Sequence, residues 1–132
     1  ERFMFNHIMV GATDIEASKK FYDATLGVLG AKPGYQHVHN GVVRYMYFLD
    51  GGTFIITEPL DGNVASHGNG ATIGLKAPDS ETCDKWHKAG EDNGGITCED
   101  PPGVREAGGI KAYLAYLKDP SGNKICTMIN LK

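Results

Sequence analysis

Cysteine is scarce in this sequence: Cys83, Cys98 and Cys126 are the only three, and none stands in a CxxC spacing. An odd, unpaired set supplies neither a disulfide framework nor a zinc knuckle, so reduced thiols are expected. Long apolar runs are missing as well. Nothing approaches the ~18–20 residues that span a bilayer, and the first residues lack the charged-then-apolar layout of a signal peptide. The expectation is a cytoplasmic protein with no membrane partner. Neither sign of charge dominates: acids and bases are mixed along the chain and the net charge is −3, which leaves no basic face for a phosphate backbone and argues against nucleic acid. With 41% hydrophobic residues and only 6 prolines, the chain is that of an ordered globular protein. Its 132 residues suit one domain over 1–132 with a shared core rather than two independent ones.

What is present is a weak internal repeat. His7-Ile8-Met9-Val10-Gly11-Ala12-Thr13-Asp14 returns as Thr72-Ile73-Gly74-Leu75-Lys76-Ala77-Pro78-Asp79, 65 positions on. Gly41 to Leu49 returns as Gly109 to Leu117, and Ile55-Ile56-Thr57 pairs with Ile125-Cys126-Thr127. Two copies are too few for a solenoid. They describe two fused supersecondary units, about 3–60 and about 70–131.

In the first unit, Phe3 to Val10 reads as a buried strand. Thr13-x-x-Glu16 reads as a capping box opening a helix that buries Phe21, Tyr22 and Leu26 and ends at Gly27 and Gly30. Strands come next near 35–39, 43–49 and 53–58, joined by hairpin turns. After a linker from Pro59 to Asn69, a strand at 71–76 leads to Asp79 as N-cap of a helix with Cys83 and Trp86 on its buried face, stopped by Gly94-Gly95. Short strands near 96–99, 111–118 and 124–130 complete the second unit, with Pro101-Pro102-Gly103 as a loop. Each unit therefore reads βαβββ.

Phe5-Asn6-His7-Ile8-Met9-Val10, Ser18-Lys19-Lys20-Phe21-Tyr22, Leu26-Gly27, and the stretch Tyr116 to Ile125 with its Asp119-Pro120-Ser121-Gly122-Asn123 turn together resemble the vicinal oxygen chelate superfamily. That group contains glyoxalase I, bleomycin-resistance proteins, extradiol dioxygenases and fosfomycin-resistance enzymes. The resemblance covers nearly the whole chain and is specific for fold but not for activity, because this fold hosts many chemistries. It implies an α+β fold of two tandem βαβββ modules, their curled mixed sheets forming a cup for a small organic ligand, in a homodimer that is either swapped or unswapped.

The resemblance also implies four metal-ligand positions, two on the first strands and two on the last strands of the modules: His7, Ile56, Thr72 and Cys126. Only His7 is a usual ligand. Glyoxalase-type isomerisation needs a Lewis acid and a carboxylate that moves a proton from carbon, and Ile56 supplies neither. Extradiol cleavage needs two His and a carboxylate on iron. A rebuilt site stays open: Glu58 lies two residues beyond Ile56, and His7, Glu58 and Cys126 would make a three-ligand site for zinc, nickel or iron, with Glu58 as candidate catalytic group. The alternative has Cys126 as a small buried hydrophobe and Glu58 as a rim carboxylate.

Tyr45 and Tyr113, equivalent in the repeat, either present phenols to a ligand or pack in the core. With them the candidate ligand-binding set is His7, Tyr45, Ile56, Glu58, Thr72, Tyr113 and Cys126. Arg44 and Arg105 either hold an anionic group or lie on the surface. His37 and His39 share a strand face and either hold a metal or stand at an exposed edge, and His67 and His87 read as solvent-facing. Gly68-Asn69-Gly70 precedes a strand, not a helix, so it is no phosphate loop. Two functions remain: a pocket without the usual metal that sequesters a drug or metabolite, and a lactoylglutathione-lyase-like lyase or isomerase on a rebuilt metal site.

Overall fold

Alternation along the first strand decides which of its residues reach the core. In the computed structural model, which describes residues 4–131, β1 (His7–Gly11) packs Ile8 and Val10 against the core and leaves His7 and Met9 exposed. The strand is shorter than the Phe3–Val10 segment expected. Phe5 is exposed, and Phe3 lies outside the described residues. The first unit continues with α1 (Ile15–Val28), β2 (Tyr35–His39), β3 (Val42–Leu49) and β4 (Gly52–Thr57). The second comprises β5 (Ile73–Lys76), α2 (Ser80–Asp92), β6 (Ile96–Thr97), β7 (Gly103–Ala107), β8 (Ile110–Lys118) and β9 (Lys124–Leu131).

One sheet has the order β1-β4-β3-β2, the other β5-β9-β8-β6 with β7 also on β8. The pairs β1–β4 and β5–β9 are parallel and the rest antiparallel, so both sheets are mixed, and both stay open. The second unit thus has one strand more than its βαβββ reading. Pro101 and Pro102 lack the N–H that a ladder needs, so pairing begins only at Gly103, in a segment too polar to announce itself as a strand.

Both helices are capped by aspartates. Asp14 accepts from the Ala17 N–H at 3.0 Å, which replaces the Thr13/Glu16 capping box. Thr13 instead accepts from the Ala65 N–H, and Glu16 from the Tyr45 hydroxyl. Asp79 caps α2 as expected, accepting from Thr82 N–H at 2.8 Å, and Gly94 at φ +94° ends it in the left-handed region. The helices pack on each other at Gly90, where a Cβ would collide with Leu117 and lie 3.1 Å from Phe21. His87 is not solvent-facing: it is buried on α2, with Nε2 3.0 Å from the Thr97 hydroxyl.

The turn before β9 staples the two units together. Asp119, 3% exposed, accepts from the Tyr22 hydroxyl at 2.6 Å and from Asn123 and Ser121 of its own turn. Asn123 then donates to the Gly11 carbonyl, and the Thr13 N–H donates to Ser121 Oγ. Burial, and next the Asp119 charge, hold the Tyr22 phenol well above its usual range, so it stays a donor. Phe21, Tyr22 and Ile56 of one unit and Trp86, Leu117 and Ile125 of the other consequently share one core.

Removing that donor leaves a buried carboxylate short of one partner. Tyr22→Phe is expected to lower unfolding free energy by ~1.5–3 kcal/mol in urea titration, because hydrogen bonds to charged groups carry that much. An unchanged midpoint would show that the staple does not hold the units.

Candidate functional site

Strand pairing assigns every side chain to a face. In the first sheet Tyr45, Tyr47, Phe54 and Ile56 join the core under the helices. Their neighbours Arg44, Met46, Thr53 and Ile55 therefore lie on the opposite, open face with His7 and Met9. In the second sheet Ala115, Leu117 and Ile125 face the helices, while Ala112, Leu114, Tyr116, Cys126 and Met128 form a separate cluster on the open side.

This division corrects several expected site residues. Ile56 is fully buried in the helix-side core and does not line an open face. The register explains why. β1 places Met9 beside Ile55, and β5 places Gly74 beside Cys126. Met9 and Gly74 are repeat equivalents, so the counterpart of Cys126 is Ile55, and a shift of one residue reverses the face. The position remains aliphatic. Tyr45 and Tyr113 also point at helices, donating to Glu16 and to Asp84, each at 2.6 Å. Each phenol is pushed up to about 12, first by its carboxylate hydrogen bond and then by burial. They tie the central strand of each sheet to the first turns of its helix, the same device twice.

Glu58 sits just past β4, where its carboxylate accepts from the Val43 N–H at 2.7 Å beside Thr13, Val42 and Pro59. It is half-buried there. Thr72 is exposed, one residue before β5, and His7 is exposed with Nδ1 2.7 Å from Asn6 Oδ1. Cys126 is 4% exposed, and burial pushes its thiol up, with Lys124 opposing only in part.

His7 and Cys126 belong to different sheets, and one Glu58 carboxylate oxygen already accepts from the Val43 N–H. Among the described residues no group of three or more His, Cys, Asp or Glu side chains is gathered as a metal would require. Corrected for register, the four inherited positions carry an imidazole, an aliphatic side chain, a hydroxyl and a buried protonated thiol. This donor set does not fit zinc, nickel or iron, which take three or four imidazole, carboxylate or thiolate ligands.

Two features were not legible in the sequence. A cleft of about 220 Å³ opens between the β1 and β5 ends, walled by Leu26, Leu29, Tyr47, Phe54 and Leu75 and reached by His7. Arg44 was named in the sequence, but its surroundings were not: it is half-buried on the open face, its Nε–H donating to Thr57 Oγ1 at 3.0 Å, directly across from His37. Arg105 is held by the carbonyls of Asp100 and Pro101, and His67 stays exposed. No helix among the described residues is long and apolar enough to cross a membrane.

Comparison with known proteins agrees with this architecture. A glyoxalase/bleomycin resistance protein from Albidiferax ferrireducens T118 is 54% identical, with a TM-score of 0.88 over 96% of this chain and 98% of that one. A V278E glyoxalase I mutant from Zea mays superposes at a TM-score of 0.71 with 22% identity, over 92% of this chain and 44% of its own. Lactoylglutathione lyase from Agrobacterium tumefaciens gives 0.62 at 14% identity over 97% and 94%, respectively. These last two likenesses speak for fold alone. No curated protein matches the sequence. The sequence profile of the Glyoxalase/Bleomycin resistance protein/Dioxygenase superfamily matches residues 4–127, and the chain belongs to that superfamily.

Proposed function

We propose that the protein binds a small organic molecule on its open sheet faces without the usual metal centre, and that it works as a homodimer. The observation that carries this reading is the chemistry of the open faces. Where a metal enzyme needs carboxylate and imidazole donors, Ile55 and Thr72 stand, and the neighbouring Met9, Met46 and Ile55 offer an apolar floor. Such a floor with a few polar groups suits a binding site. The competing lactoylglutathione-lyase reading has less support: Ile55 has no acid–base group, and Glu58 lies just past β4 with one oxygen on the Val43 N–H. Reduced thiols at Cys83, Cys98 and Cys126 suit a cytoplasmic setting.

The edges of the sheets support the dimer. Among the described residues β1 and β5 each end a sheet with an unpaired side, and Met9, Tyr35 and Phe48 remain exposed on the first sheet's open face. A second copy that brings its other sheet alongside would cover these edges and build each cup from two chains.

Two measurements test this reading. Methylglyoxal with glutathione is expected to give at most trace turnover in the presence of zinc or nickel; robust lactoylglutathione formation would refute the binding-protein assignment. Light scattering at micromolar concentration is expected to give twice the 14.2 kDa mass of the chain. A mass near one chain would mean that each open face works without a partner.

A further inference from the structure

The chain is acidic overall, yet its open faces are basic. Among the described residues, Glu106 is the one acidic residue on a strand. Glu106 stands opposite Lys111, in step with the helix-facing Tyr113 and Ala115. The other strand cations, Arg44, Lys76, Arg105, Lys118 and Lys124, are in register with open-face residues such as Met46, Gly74, Ala112 and Cys126. Lys118 is even paired directly with Lys124, a like-charge juxtaposition that disfavours folding and that Glu99, off the strands, offsets by pairing with Lys124. Segregation of this kind raises the local concentration of anions over the open faces.

On the first sheet the charge has a definite seat. Pairing aligns Gly11, Thr57, Arg44 and His37 in one row across all four strands. The adjacent row is Met9, Ile55, Met46 and Tyr35, apolar but for the Tyr35 hydroxyl and two residues along each strand, hence about 6.6 Å away. Thr57 donates its own proton to the Glu58 carbonyl at 2.8 Å, so its oxygen is left to receive Arg44 Nε–H. That bond fixes the guanidinium while leaving its two terminal nitrogens for a ligand. Among the described residues no carboxylate forms an ion pair with Arg44. A single oriented fork matches a planar carboxylate bidentately. A phosphate would be better served by a helix N-terminus, and the nearby one, that of α1, is already capped by Asp14.

We propose that this face binds a small amphipathic carboxylate, its head group held by the Arg44 guanidinium beside His37 and its apolar body lying across Met9, Ile55, Met46 and Tyr35. The assignment rests on the open-face binding reading and adds the charge class of the ligand and the residue that selects it.

Amide NMR titration of the full chain with octanoate and, separately, 1-octanol tests it. Octanoate is expected to shift Tyr35–His39, Arg44–Met46 and Ile55 saturably and to bind at least about tenfold tighter than octanol, the margin of a charge-assisted fork. Arg44→Gln should remove that margin and leave octanol affinity unchanged, Arg44→Lys should restore part of it, and the exposed His37→Gln should weaken octanoate without disturbing the fold. Equal affinity of the two probes, an unchanged octanoate affinity in Arg44→Gln, or octanoate shifts centred on Lys118 and Lys124 would overturn the carboxylate assignment while leaving open-face binding intact. Failure of both probes to shift either open face would overturn the binding reading along with it.

Discussion

The hydrogen bond from Tyr22 to Asp119 is the constraint on which the arrangement of the molecule rests. It joins α1 to the turn before β9, across 97 positions of sequence, inside a core that excludes water. Asn123 and Ser121 of the same turn extend the junction to Gly11 and Thr13, the end of β1 and the approach to α1. With the helix side of both units committed to one shared core, apart from the cleft at the β1 and β5 ends, each sheet offers a ligand its other face. The two motifs that mark the superfamily in this sequence, Phe21-Tyr22 and the Asp119 to Asn123 turn, are thus two halves of one structural joint. They identify the fold and carry no information about chemistry.

Chemistry is instead left to the positions that alternation turns outward. The same period of two that buries Ile56 turns Ile55 to the open face, and the same repeat that places Tyr45 against Glu16 places Tyr113 against Asp84. Symmetry between the units is therefore strongest where it serves packing. It is weakest on the open faces, where His7 answers to Thr72 and Ile55 to Cys126. A scaffold whose joints and tyrosine ties lie on the helix side can exchange its open-face donors without undoing those joints.

Much of the fold was legible in the sequence because its signals are local. Period-2 alternation, the Asp79 cap and the glycine stops depend on residues within a few positions, and they marked both helices and most strands to within a residue or two. The failures arose where tertiary partners compete for the same groups. Thr13 and Glu16 have capping-box spacing, but Ala65 and Tyr45 take their oxygens and Asp14 caps instead. His87 looks like a surface residue until Thr97 folds over it. β7 is a strand only because β8 is beside it. The site suffered most, since a one-residue error in aligning Ile55 and Ile56 with Cys126 moves a residue from one face to the other, and only the pairing with β1 and β5 resolves it.

On the proposed reading, this member of the superfamily has kept the fold and given up the metal. Elemental analysis of the protein purified without chelator tests that most directly. Substoichiometric zinc, nickel and iron, unchanged in His7→Ala, is the result predicted. A stoichiometric metal that disappears in His7→Ala would contradict it.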